Sequence, residues 1–139
     1  MAMFNIIVDT SVVIDHLRRR SNHLLELEDQ SNIGKVRLLI PHIIITELYI
    51  GKEARNKAGR EIIDSVLKNL EIVGFTVSSA KLAGELIRTY QQIPDPFDLL
   101  IAAIAIEQDA QVATHNKKHF EQIRGLKLYN FPVSISSKN

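Results

Sequence analysis

Residues 4–11 read Phe-Asn-Ile-Ile-Val-Asp-Thr-Ser, an apolar run that stops at three polar side chains. A short run without polar alternation suits a strand buried on both faces, and the Asp-Thr-Ser behind it suits the start of a helix. The same punctuation recurs downstream. Strand-like runs are expected at Val36–Ile40, within Glu71–Val77, at Gln111–Ala113 and at Leu126–Tyr129. Between them, Ile62, Ile63, Val66, Leu67 and Leu70 fall at helical spacing, as do Leu82, Leu86, Ile87 and Tyr90 behind Ser78, the expected cap. Ile43–Ile45 suits a strand, but Glu47, Leu48 and the following Lys52–Lys57 stretch favour a helix. Leu99–Ile106 is apolar almost all round, which a helix tolerates only inside protein, so it is expected to be the most buried helix. Parallel strands need crossovers of about a dozen residues or more, and alternation on this scale supplies them. The fold expected is a three-layer α/β/α sandwich with a mainly parallel central sheet, as a single domain over residues 1–139.

Composition narrows the function classes. Seventeen basic against sixteen acidic side chains leave a net charge of +1, so no global basic field advertises nucleic acid. The chain has no cysteine, which removes disulfides, thiolate nucleophiles and cysteine zinc sites together. No secretory leader is read, and no apolar run reaches the ~18 residues of a membrane span, so a cytoplasmic protein without membrane association is expected.

In an α/β sandwich, ligands bind beyond the carboxyl ends of the strands, and the acids expected there are Asp9, Glu47 and Asp98. Asp9 reads either as an N-cap or as a ligand for a hard cation. Asp98, three residues after Asp95 and behind Pro96, reads either as part of a capping box or as a carboxylate deliberately set in dry surroundings. Glu47 sits among Ile43, Ile44, Ile45, Leu48 and Ile50, so it is either the solvent face of an amphipathic helix or a functional acid. His115 and His119 are four apart, as zinc ligands on a helix would be, but Thr114 and Asn116 make the stretch a strand-to-helix loop. A receiver domain would need a second acid beside Asp9 and a haloacid-dehalogenase-like phosphatase one two residues later, where Thr10 and Ser11 stand; phosphate-cradling and dinucleotide glycine loops are also missing.

Taken in order, Ile-Val-Asp-Thr-Ser-Val-Val-Ile-Asp at 7–15, Thr-Glu-Leu-Tyr-Ile-Gly at 46–51, Pro-Phe-Asp-Leu-Leu-Ile-Ala-Ala at 96–103 and Ala-Thr-His-Asn-Lys-Lys-His-Phe at 113–120 resemble the successive motifs of PIN-domain ribonucleases. The branch most resembled is that of the VapC toxins of toxin–antitoxin pairs. The resemblance implies a metal-dependent endoribonuclease in which Asp9, Glu47 and Asp98 hold magnesium, or manganese in its place, with Thr10, Ser11, Thr114 and Asn116 beside them. It also implies a homodimer and a small antitoxin partner. His119 departs from the pattern, since many relatives carry a fourth aspartate there.

The chemistry agrees with that implication. Bare carboxylates repel a phosphodiester, so such acids need a divalent cation between them and RNA, to orient and acidify a water for in-line attack. Hydrolysis by water leaves a 5′-phosphate and a 3′-hydroxyl. Arg18, Arg19 and Arg20, with Lys117 and Lys118, are candidate contacts to the RNA backbone, against the commoner reading of solvated helix faces. The alternative is a degenerate PIN-like module that binds RNA or a protein partner without cleaving, and His119 is the residue that supports it.

Overall fold

The structure, a computed structural model, describes residues 3–93 and 95–132. Five strands, β1 (Phe4–Val8), β2 (Val36–Pro41), β3 (Glu71–Val73), β4 (Ala110–Ala113) and β5 (Lys127–Leu128), lie in the order β3-β2-β1-β4-β5. All four pairings are parallel. The connections carry α1 (Thr10–Leu17), α2 (His23–Asn32), α3 (His42–Ile50), α4 (Lys57–Leu67), α5 (Val77–Thr89), α6 (Pro96–Glu107) and the single turn α7 (Lys117–Phe120), with a 3-10 turn at Lys52–Ala54. Successive side chains of a strand point to opposite faces. Ile6, Ile7 and Val8 are nevertheless all fully buried, as are Leu39 and Ile40, so helices cover both faces and the α/β/α sandwich expected from the sequence is the fold.

Burial on both faces fails at the rims and at the amino-terminal end of β1, where Phe4 is exposed. β3 and β5 each have a single neighbour, Ile72 is 49% exposed, and Glu71 meets Arg37 of β2 on the open surface. The ambiguous isoleucines do belong to a helix, α3, which buries Ile44 and Leu48. α6 is the most buried helix: Leu99 and Ile101–Ala105 lose nearly all contact with solvent as it packs against α5, α3 and β4. Asp95 starts it, accepting from the Phe97 N–H at 2.9 Å, and Pro96 occupies the first turn, where its missing N–H costs nothing. The cap of α5 differs from expectation. Thr76, extended at φ −88° and ψ 170°, accepts from the Ser79 N–H at 3.0 Å, and Ser78 lies inside the first turn. Among the described residues no helix is long and apolar enough to cross a membrane.

Two helical glycines give an opposed pair of expectations. A Cβ on Gly84 of α5 meets nothing within 4 Å, whereas a Cβ on Gly59 of α4 would stand 1.8 Å from the Glu53 carbonyl oxygen. Gly84→Ala should therefore stabilise the fold by ~0.5–1 kcal/mol through helix propensity. Gly59→Ala should cost ~1 kcal/mol or more, because backbone must shift to admit the methyl. Urea denaturation of the two variants checks the signs.

Candidate active site

Asp9 is the first residue past β1. Its N–H continues the ladder to the Ala113 carbonyl at 3.0 Å, and its own carbonyl accepts from Val12 at 3.0 Å, so the backbone does the capping of α1. The carboxylate does not cap. Its Oδ2 accepts from the Thr114 hydroxyl at 2.8 Å and from the Ser11 hydroxyl at 3.0 Å. Each hydroxyl is itself held as an acceptor: His115 N–H donates to Ser11 Oγ and Asn116 N–H to Thr114 Oγ1, both at 2.9 Å. Each O–H proton is left to meet the Asp9 carboxylate, the shorter contact for both, while the two hydroxyl oxygens lie 3.3 Å from one another. Among the described residues Oδ1 accepts no hydrogen bond, so it is the oxygen with capacity left for a cation.

Glu47 arrives from the second turn of α3, half-buried, with Oε1 accepting from the Thr10 hydroxyl at 2.8 Å. Burial pushes its carboxyl up to about 6, the negative charges of Asp9, Asp95 and Asp98 add to the shift, and the Thr10 hydrogen bond opposes it. Asp98, in the first turn of α6, is 8% exposed. Its Oδ2 lies 3.2 Å from His119 Nδ1, so its carboxylate reaches towards α7 and does not close a capping box. Burial raises it to about 6 as well, with Asp95 and Asp9 adding and His119 opposing.

These side chains open onto one cleft of about 350 Å³ at the carboxyl ends of β1 and β4. Here the chain leaves β1 towards β2 on one side and β4 lies on the other, the switch point at which open α/β sheets bind ligands. Asp15 and Asp95 join the three predicted acids in the lining, with Thr10, Ser11, Asn116, His115 and His119 between them. No Lys or Arg among the described residues lines it. Arg18 is instead held by Glu53 at 2.6 Å, beside a separate hollow against α4, and the exposed Lys117 reaches Asn130 at 3.3 Å. Arg19, Arg20 and Lys118 are exposed and unplaced with respect to the cleft.

Carboxylate oxygens are the donors that magnesium and manganese prefer. Among the described residues no three Asp, Glu or His side chains close around a single point as a metal cage. A hard cation that keeps several waters and takes one or two carboxylates asks for no such cage, so the donor set fits. His115 and His119 do not converge: the first turns to Asp15 and His23, the second to Asp98. Asp15 and the His115–His23 contact were not legible as site features. Asp15 lies four residues after Ser11 on the same face of α1, the one local signal that could have found it.

The profile of the PIN domain family matches residues 6–126. The chain belongs to the PIN domain family. Ribonuclease VapC2 of Rickettsia felis is 30% identical over 132 residues, which cover 89% of this chain and 96% of that protein. The tRNA(fMet)-specific endonuclease VapC of Salmonella typhimurium is 25% identical over 132 residues, covering 91% and 97%. In the crystal structure of VapBC2 from Rickettsia felis bound to a DNA fragment from their promoter, the matching chain superposes with a TM-score of 0.81 at 26% identity, over 93% of this chain and 100% of that one.

The raised carboxyls of this PIN domain predict its pH response without metal. Glu47 and Asp98 titrate near 6 in the fold, above their ordinary 4.5 and 3.8, so the fold favours their protonated forms. That contribution is complete below pH ~4 and is lost as pH rises through 6. After solvent screening it should amount to ~1–2 kcal/mol. At pH 7.5 in EDTA, Asp98→Asn should be as stable as the parent or more so. Magnesium at ~10 times its dissociation constant should raise the parent by ~1.4 kcal/mol, roughly 4 °C, and the variant far less. Calorimetry of both proteins gives the comparison; destabilisation of metal-free Asp98→Asn, with equal magnesium shifts, would reduce Asp98 to a structural acid.

Proposed function

We propose that this PIN domain is a metal-dependent endoribonuclease, the toxin of a toxin–antitoxin pair, with Asp9, Glu47 and Asp98 holding magnesium or manganese. The observation that carries the reading is the Asp9 carboxylate: among the described residues one oxygen is saturated by two hydroxyls and the other is uncommitted, in a cleft shared with four further acids. The names of the relatives, a ribonuclease and a tRNA-specific endonuclease, support the reaction class.

A bound cation would supply Lewis-acid chemistry, neutralising phosphate charge and acidifying a water. The chain's own residues do the remainder. Thr114 and Ser11 hold Asp9 in one rotamer, Thr10 does the same for Glu47, and His119 tethers Asp98 at the rim. The acids repel a phosphodiester that arrives without a cation, so binding of RNA and metal is coupled. Exposed Lys118, Arg19 and Arg20 are cations outside the cleft for the RNA backbone, whereas Lys117 would first have to leave Asn130 and Arg18 to leave Glu53.

The complex containing the structural neighbour VapBC2 supports a small antitoxin as protein partner, and homodimerisation is part of the same proposal. We further read residues 1–139 as a single domain.

Purified chain free of partner should cut RNA in magnesium or manganese, leaving 5′-phosphate and 3′-hydroxyl ends, and should stop in EDTA. Asp9→Asn should lower the rate by ~100-fold or more. Cleavage that survives EDTA or the Asp9 variant would overturn the proposal. RNA that binds yet stays intact with either cation would favour a non-cleaving binding module, the role that an imidazole at position 119 would suit.

A further inference from the structure

His115 lies in the irregular link between β4 and α7, and its ring is fastened at both ends. Nδ1 is 2.6 Å from Asp15 Oδ2 on α1, and Nε2 is 2.8 Å from His23 Nδ1 on α2. A carboxylate can only accept, so Nδ1 of His115 carries the proton towards Asp15. His115 Nε2 and His23 Nδ1 then share one proton across their 2.8 Å contact. Burial and the neighbouring His115 hold His23 below its ordinary value, with Glu26 opposing. His23 is itself immobilised, stacked on Phe131 with centroids 3.9 Å apart and planes 9° from parallel, and Tyr129 meets Phe131 edge-on at 5.1 Å.

The backbone of the same residue does a second job. His115 N–H holds Ser11 Oγ, and the next N–H, of Asn116, holds Thr114 Oγ1; these are the two hydroxyls that saturate Asp9 Oδ2. The link has no strand ladder or long helix of its own to keep those N–H groups in place, whereas the ring ties it to α1 and α2. We propose that His115 is a positioning residue: its ring, clamped between Asp15 and His23, holds the 114–116 link so that Ser11 and Thr114 both donate to Asp9 Oδ2 and leave Oδ1 for a divalent cation. The proposal rests on the metal-site reading above. If the clamp is cut, the two hydroxyls lose their fixed donors and rotate, and the Asp9 carboxylate is no longer held in one orientation.

The test is calorimetric titration of the full chain with Mn²⁺, paired with steady-state RNA cleavage at saturating Mn²⁺. His115→Phe keeps an aromatic ring against His23 and Phe131 but removes both ring hydrogen bonds. The expected result is Mn²⁺ affinity lowered by ~10-fold or more, with kcat reduced and KM for RNA within about twofold of the parent. Mn²⁺ affinity within twofold of the parent, or a rise in KM with kcat unchanged, would overturn the proposal, since the ring would then be packing or touching RNA. Should His115→Phe not fold, His23→Phe preserves the stack on Phe131 and removes only the outer bond. It should lower Mn²⁺ affinity by ~3-fold, and an unchanged affinity overturns the proposal. Asp9→Asn separates the two readings: a parent that binds no Mn²⁺, or whose binding ignores Asp9→Asn, overturns the metal site and the proposal together, whereas Asp9-dependent binding indifferent to His115 overturns the proposal alone.

Discussion

The carboxyl halves of β1 and β4 lie side by side with Ile7, Val8, Val112 and Ala113 all buried, so at that edge polar groups appear only where the strands end. Because the pair is parallel, both ends fall on the same edge of the sheet. The register sets Val8 opposite Ala113, so the next residue of each strand, Asp9 and Thr114, emerges beside the other. Their 2.8 Å hydrogen bond follows from that register. A slip of one residue would turn each side chain to the other face and break the pair. Everything else in the cleft is assembled around this contact: Ser11 from the first turn of α1, Glu47 from α3, Asp98 from the start of α6.

The cleft is where the fold is least at ease with itself. Among the described residues five carboxylates share it without a lysine or arginine, and Glu47 and Asp98 are driven upward by burial and by neighbouring negative charge. Hydroxyls of Thr10, Ser11 and Thr114 and the ring of His119 offset part of that cost. The apolar helix α6 and the buried residues of β1, β2 and β4 carry the stability that lets the rest stand. The cleft is therefore a local excess of negative charge on a scaffold that does not need it, an excess that the proposed cation would relieve.

How much of this the sequence discloses depends on the length scale of the signal. Phe4–Val8 followed by Asp9, and the apolar Leu99–Ile106 behind Asp95 and Pro96, announce strand, helix and cap through local rules, and the structure follows them. Thr76 in place of Ser78 as the cap of α5 is a two-residue slip of the kind that local rules leave open, because either hydroxyl could serve until the backbone dihedrals are known. The short rim strands were readable as strands but not as rims, since exposure depends on a neighbour elsewhere in the chain. The Asp15–His115–His23 chain was out of reach altogether: His115 bonds to residues 100 and 92 positions earlier, and no periodicity encodes such a meeting.

The contact between Asp9 and Thr114 also carries a temporal consequence. Its partners are 105 residues apart, so during synthesis β1 and its acid stay unpaired with β4 until those residues have been made. Contacts of such separation bear the largest loop-closure entropy and form late in folding. For the nuclease proposed above, a nascent chain that stops short of Thr114 would hold Asp9 without the hydroxyl that orients it.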